Sequence, residues 1–124
     1  MAVTILVALA GLMGASGIVL AAAGAHAAPN AGLESAAYML LIHATALLGG
    51  AALMQQGMLW RPLLLGVLIA WAVGAALFAG DIALRAFAEH RLFAFAAPAG
   101  GIILIAAWIA LTLAAIGALL HPAA

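Results

Sequence analysis

The sequence predicts an all-α membrane protein, an antiparallel bundle of four transmembrane helices forming one domain over residues 1–124. Composition is the first reason. The chain is 71% hydrophobic and 5% charged, whereas an average soluble domain is about 45–50% apolar and about 25% charged. Spacing is the second. Four apolar stretches, at about 3–28, 33–54, 62–87 and 95–120, each reach the roughly 20 residues that a helix needs to cross a hydrocarbon core about 30 Å thick. Lipid cannot satisfy backbone polar groups, so a spanning segment must bond them internally, and a chain of this length does that as helices rather than as a barrel.

The first stretch has features of a secretory signal, because Ala25-His26-Ala27 offers the small residues of a cleavage site. No arginine or lysine precedes it, and its apolar run exceeds the roughly 7–15 residues of a signal core, so a retained helix is expected. Pro29-Asn30-Ala31-Gly32 supplies turn chemistry before the second stretch. Gln55-Gln56-Gly57 closes the second, and Arg61-Pro62 opens the third. Glu89-His90-Arg91 separates the third from the fourth, where Pro98 suits a first helical turn that has no use for its missing amide proton. Connections this short make successive helices antiparallel and bring both termini to one side.

Three arginines (Arg61, Arg85, Arg91) balance three acids (Glu34, Asp81, Glu89), so no net charge draws the chain to nucleic acid or anionic lipid. The arginines are too few and too evenly placed to orient the bundle by the positive-inside rule. With no cysteine, disulfides, thiolate chemistry and cysteine metal sites are excluded.

Small residues mark where helices approach closely. Gly11, Gly14, Gly17 and Ala21 share a face of the first helix, and Gly66, Ala70 and Gly74 recur every four residues in the third. Gly100 and Gly101 open the start of the fourth to another helix, for which the first is a candidate. Trp60 fits the interfacial aromatic belt, while Trp71 and Trp108 fall near mid-helix, where they fill interhelical space.

In so apolar a chain, polar residues at membrane depth carry the information. Counting about 1.5 Å per residue from the first and third connections puts His26, Tyr38 and Arg85 about one turn inside one face. The same count puts His43 and Asp81 roughly 10–15 Å deep, so these five residues form the candidate polar cluster. Asp81 and Arg85, at i and i+4, suit an ion pair. His26 suits the negative end of the first helix. No histidines and acids show the spacing of a helical metal site, and no serine or threonine has a nucleophile motif or partner base. Neither a metal, a cofactor nor an enzymatic activity is expected.

Leu20-Ala21-Ala22-Ala23-Gly24-Ala25-His26 resembles the Gly-Ala-Phe-Gly-Ala-His that ends the first helix of the domain-of-unknown-function family 423. These are small bacterial membrane proteins related to eukaryotic transmembrane protein 256. His43 with Ala44-Thr45-Ala46-Leu47-Leu48 is similar to the family's second-helix histidine, and Phe78-Ala79-Gly80 to its Phe-Ser-Gly. Ala97-Pro98-Ala99-Gly100-Gly101 with Trp108 resembles its Thr-Pro-x-Gly-Gly and later Gly-Trp. The likeness runs in order over nearly the whole chain. It implies four transmembrane helices in a bacterial inner membrane with cytoplasmic termini, and no established activity. Three departures stand out. Met39-Leu40 replaces a Tyr-Gln, Asp81 replaces a serine, and Ala97 replaces a threonine able to cap the fourth helix, whose amides then need another partner.

The expected function is that of a structural or accessory membrane protein whose partners are the lipid bilayer and either a second copy or a larger membrane complex, not nucleic acid. The alternative is a proton or small-solute transporter built on His43, Asp81 and Arg85. Against it, the facing segments beyond His43, at 46–53, 63–76 and 109–119, offer only Thr112 and the Trp71 indole as polar groups.

Overall fold

The computed structural model describes residues 1–28 and 32–121; the expected turn residues Pro29, Asn30 and Ala31 lie outside them. Four helices account for nearly all of the described chain: α1 (Ala2–His26), α2 (Leu33–Gln56), α3 (Arg61–Ala88) and α4 (Ala96–Leu120). Their ends fall within two residues of the expected ones, and each helix is long and apolar enough to cross a membrane. The protein is a multi-pass membrane protein. Gly57 ends α2 in the left-handed region at φ 68°, which a glycine enters without steric penalty. α3 ends less comfortably, on Glu89 at φ 57°.

Facing positions show the direction of each helix. A Cβ built on Gly14, Gly17 or Gly24 would meet Ala44, Leu41 or Leu33 respectively, so residue numbers rise along α1 as they fall along α2. Gly50 meets Leu68 while Gly32 meets Ile82, which reverses α3 against α2. Gly74 meets Leu104 and Gly100 meets Phe78, so α4 also runs opposite to its neighbour. The bundle is antiparallel throughout.

α2 and α3 form the central pair, with α1 chiefly against α2 and α4 against α3. The buried residues of α2 recur at three- and four-residue spacing (Ala36, Leu40, His43, Leu47, Gly50, Met54), the period of one helix face. α3 answers with Leu64, Leu68, Trp71, Ala75, Ala79 and Ile82. The outer helices bury narrower stripes, Leu6, Ala10, Met13 and Gly17 on α1 and Ala96, Gly100, Leu104 and Ala107 on α4. Among the described residues the backbones of α1 and α4 do not approach, so the start of α4 packs on α3 and not on the first helix as expected.

Close approach is concentrated at four glycines. A Cβ on Gly100 would lie 2.6 Å from the Gly74 carbonyl oxygen and 2.7 Å from the Phe78 nitrogen. One on Gly74 would lie 2.9 Å from the Leu104 side chain, and one on Gly17 2.8 Å from Leu41. Gly50, which the sequence pattern does not single out, would collide with Leu68. Gly14 makes only ordinary contact, and Gly11, Gly66 and Gly101 face open space, which corrects their assignment to packing within the chain. Repeats of small residues mark a permissive face, but the facing helix decides which positions on it are used.

Gly100→Ala is therefore expected to lower stability by about 1–3 kcal/mol, because both neighbours are backbone and cannot turn aside. Gly11→Ala in the monomer should be neutral or stabilising by up to about 1 kcal/mol, since alanine is the better helix former. Thermal unfolding of both variants in one detergent checks the contrast, and equal melting temperatures would contradict the packing described.

Candidate functional site

His43 is a buried polar residue at a core position near the middle of α2, 4% exposed. Its Nδ1 lies 2.8 Å from the Met39 carbonyl oxygen, one turn earlier in α2. The Trp108 indole Nε1–H donates to its Nε2 at 3.2 Å. A carbonyl only accepts and an indole N–H only donates, so these partners require the neutral ring with its proton on Nδ1. Both nitrogens are then occupied within the chain. Protonating Nε2 would set two N–H groups against each other and break the bond to Trp108.

Trp71 completes the cluster. Its ring centroid lies 4.3 Å from that of Trp108 and 6.3 Å from His43, the latter edge to face. Residues of three helices thus meet at mid-membrane, and the Trp108 bond joins α2 to α4 across a gap that their backbones do not close. Trp71 is 3% exposed, and its Nε1–H is the one buried side-chain polar atom without a partner among the described residues. An orphaned donor of this kind costs about 1–3 kcal/mol.

Asp81 forms a separate site. Its side chain is 3% exposed, and its Oδ2 lies 3.3 Å from Arg85 Nε, the expected i, i+4 pair. Its Oδ1 accepts the Leu92 backbone N–H at 3.1 Å. This second bond draws the connection after α3 back over the end of the helix, where Arg91 Nη1 donates to the Ala94 carbonyl at 3.1 Å. The start of α4 also finds its partners in this connection: Ala96 N–H bonds the Phe93 carbonyl and Ala99 N–H that of Phe95, without any side-chain cap.

The five residues expected to form one cluster are not brought together. His43 faces Trp71, ten residues along α3 from Asp81 and hence about 15 Å away along the helix axis. Asp81 instead adjoins Ile82, which faces Gly32 at the very start of α2. The stagger of α3 against α2 sets Asp81 level with the start of α2 and not with His43, and the 89–95 segment folds back onto it. Tyr38 is 56% exposed and donates to Glu34 Oε1 at 2.9 Å, away from the interior. His26 is exposed, and the Ala23 carbonyl near the end of α1 is taken by the N–H groups of Ala27 and Ala28 rather than by its imidazole. Among the described residues no group of three His, Cys, Asp or Glu residues has metal-binding geometry.

The midpoint positions of Trp71 and Trp108 were visible in the sequence, but not that both would meet His43. The Leu92 bond left no sequence signal, since any residue presents the same amide.

Replacing Trp108 by Phe keeps most of the ring but removes the donor, and should cost about 1–3 kcal/mol by leaving Nε2 of buried His43 unpaired. Combined with His43→Leu, the second loss should be smaller than it is alone, and additive melting-temperature losses would deny the pairing. For the ion pair, Asp81→Asn and Arg85→Leu should each lower stability more than the double variant does, because the survivor of a single replacement is left unpaired. Arg85→Leu should be the harsher of the two, because it leaves the buried carboxylate without its cation. Equal, additive shifts in thermal unfolding would count against that account.

No curated protein and no solved structure matched the chain. The model of one family, described as "Protein of unknown function (DUF423)", matches residues 20–101. The matched stretch takes in His26, His43, Phe78-Ala79-Gly80 and Ala97-Pro98-Ala99-Gly100-Gly101, and stops short of Trp108. Because that stretch covers about two thirds of the sequence, the chain belongs to the DUF423 family of proteins of unknown function.

Proposed function

We propose that the protein is a structural or accessory component of a membrane, associating with itself or with a larger membrane complex, and that it neither transports protons or solutes nor catalyses a reaction. One observation carries this reading: the two buried polar or charged side chains among the described residues, His43 and Asp81, have their polar atoms bonded inside the chain. His43 uses both ring nitrogens and Asp81 both carboxylate oxygens. The hydroxyls of Thr45 and Thr112 bond carbonyls of their own helices. A relay needs groups that accept a proton and pass it on, and the unpartnered indole of Trp71 cannot accept one. His43 and Asp81 act as pins between elements.

The outward surface supports association. α4 buries only 11% of its most apolar stretch, and Gly11, Gly49, Gly66, Gly101 and Gly117 have nothing within contact distance among the described residues. In lipid, helix association rests on close van der Waals contact, which such positions permit to a neighbouring helix.

The competing reading is a transporter that uses His43, Asp81 and Arg85. Two experiments separate the two. Purified protein in liposomes should show no proton or ion flux above empty vesicles and no change in His43→Ala. A reproducible flux abolished by that substitution would replace the accessory role with transport. Extraction in mild detergent at native expression should recover the chain as a homo-oligomer or in a larger assembly, and a monodisperse monomer would oppose association. For topology, the reading places both termini on the cytoplasmic side of a bacterial inner membrane. Single cysteines at positions 2 and 121 should then be labelled together in opened cells only, whereas labelling of either one in intact cells would reject that orientation.

A further inference from the structure

Two of the three arginines line one cleft. It lies where the end of α3 meets the start of α4, encloses about 370 Å³, and is bordered by Phe78, Asp81, Arg85, Arg91, Ala97 and Pro98. Arg85 presents its Nε to Asp81, so its two terminal nitrogens have no partner among the described residues. Arg91 gives one hydrogen of Nη1 to Ala94 and keeps its other donors. The helix start adds a third element. Of the four N–H groups that open α4, Ala96 and Ala99 bond backbone carbonyls, Pro98 has none, and Ala97 is left over. Ala97 is 7% exposed and lines the cleft.

The surroundings of this cleft suit the membrane interface. Phe87, Leu92, Phe93 and Phe95 are all between 46% and 72% exposed around the two arginines. Apolar side chains beside basic ones at a helix end suit the boundary between acyl chains and headgroups. The chain carries no net charge, and Glu89 lies nearby, so attraction here does not arise from the overall field. It arises from convergent donors. Asp81 spends one oxygen on Leu92 and one on Arg85, and so holds the Arg85 fork in place while neutralising only one of the two cations.

We propose that this cleft binds the phosphate of an anionic phospholipid, with Arg85 and Arg91 supplying charged donors and the Ala97 amide completing the cradle. Guanidinium forks match a phosphate geometrically, and a helix N-terminus favours negative charge. The exposed phenylalanines take the glycerol and upper acyl region of the same lipid.

The test uses the full chain in mild detergent with phosphatidylglycerol, phosphatidylcholine or inorganic phosphate, read by native mass spectrometry and by thermal shift. The wild type should retain one phosphatidylglycerol in preference to phosphatidylcholine, and inorganic phosphate should not displace it. Arg91→Gln leaves the Asp81 pair intact and should weaken retention about tenfold or more, while Arg91→Lys should recover part of it. Arg61→Gln, at the other end of the bundle, should retain lipid as the wild type does. Unchanged retention in Arg91→Gln would overturn the proposal, as would an equal loss in Arg61→Gln. Displacement by inorganic phosphate at equal concentration would overturn the lipid assignment in favour of a free anion.

Discussion

Hydrocarbon offers no partner for a polar group, and nearly every feature of this fold answers that constraint. Backbone amides are closed within four helices because an unbonded amide in lipid costs several kcal/mol. Once the helices exist, little hydrophobic effect is left to press them together, since lipid tails are as apolar as leucine. Contact must come from shape. Gly17, Gly50, Gly74 and Gly100 stand where a neighbouring helix comes nearest, and at Gly100 the neighbour is the backbone of α3 itself. Removing the Cβ there lets α3 and α4 meet, just as Gly17 and Gly50 do for the other two helix pairs.

The few polar side chains obey the same rule one level up. His43 sits at a core position and escapes the penalty of burial by bonding Met39 in its own helix and Trp108 in another. The second of these bonds connects α2 with α4, which do not otherwise approach at the backbone. Asp81 does comparable work at the end of the bundle, tying α3 to the connection that follows it. A neutral histidine and a compensated carboxylate are forms that a low-dielectric interior tolerates. Each ties one element to another, and Asp81 lies about 15 Å along the axis of α3 from Trp71, which His43 faces. Trp71 is the exception. Its N–H is unpaired where its ring lies against both His43 and Trp108.

Membership of a family without a known activity leaves function to be argued from surfaces. The outside is uneven: α2 buries 44% of its most apolar stretch and α4 only 11%. One end carries a pair of arginines among exposed phenylalanines, and the other offers Arg61 and Trp60. This asymmetry is what a partner, whether lipid or protein, would meet.

Composition and periodicity alone were enough to place four spanning helices and most of their ends, because twenty-residue apolar runs broken by Pro, Gly and charged residues leave no other solution in lipid. The Asp81–Arg85 pair was equally legible, being a matter of spacing within a single helix. What a residue meets on another helix was not. Gly11 and Gly66 belong to the same kind of repeat as Gly17 and Gly74, yet only the latter two touch a facing helix. His43 and Asp81 count to similar depths from their connections, yet the stagger of α3 against α2 sets one opposite Trp71 and the other beside the first turn of α2. Rotation and stagger are decided by how whole faces interlock, a sum of many small contacts between residues remote in the chain, and so they entered only with the tertiary structure.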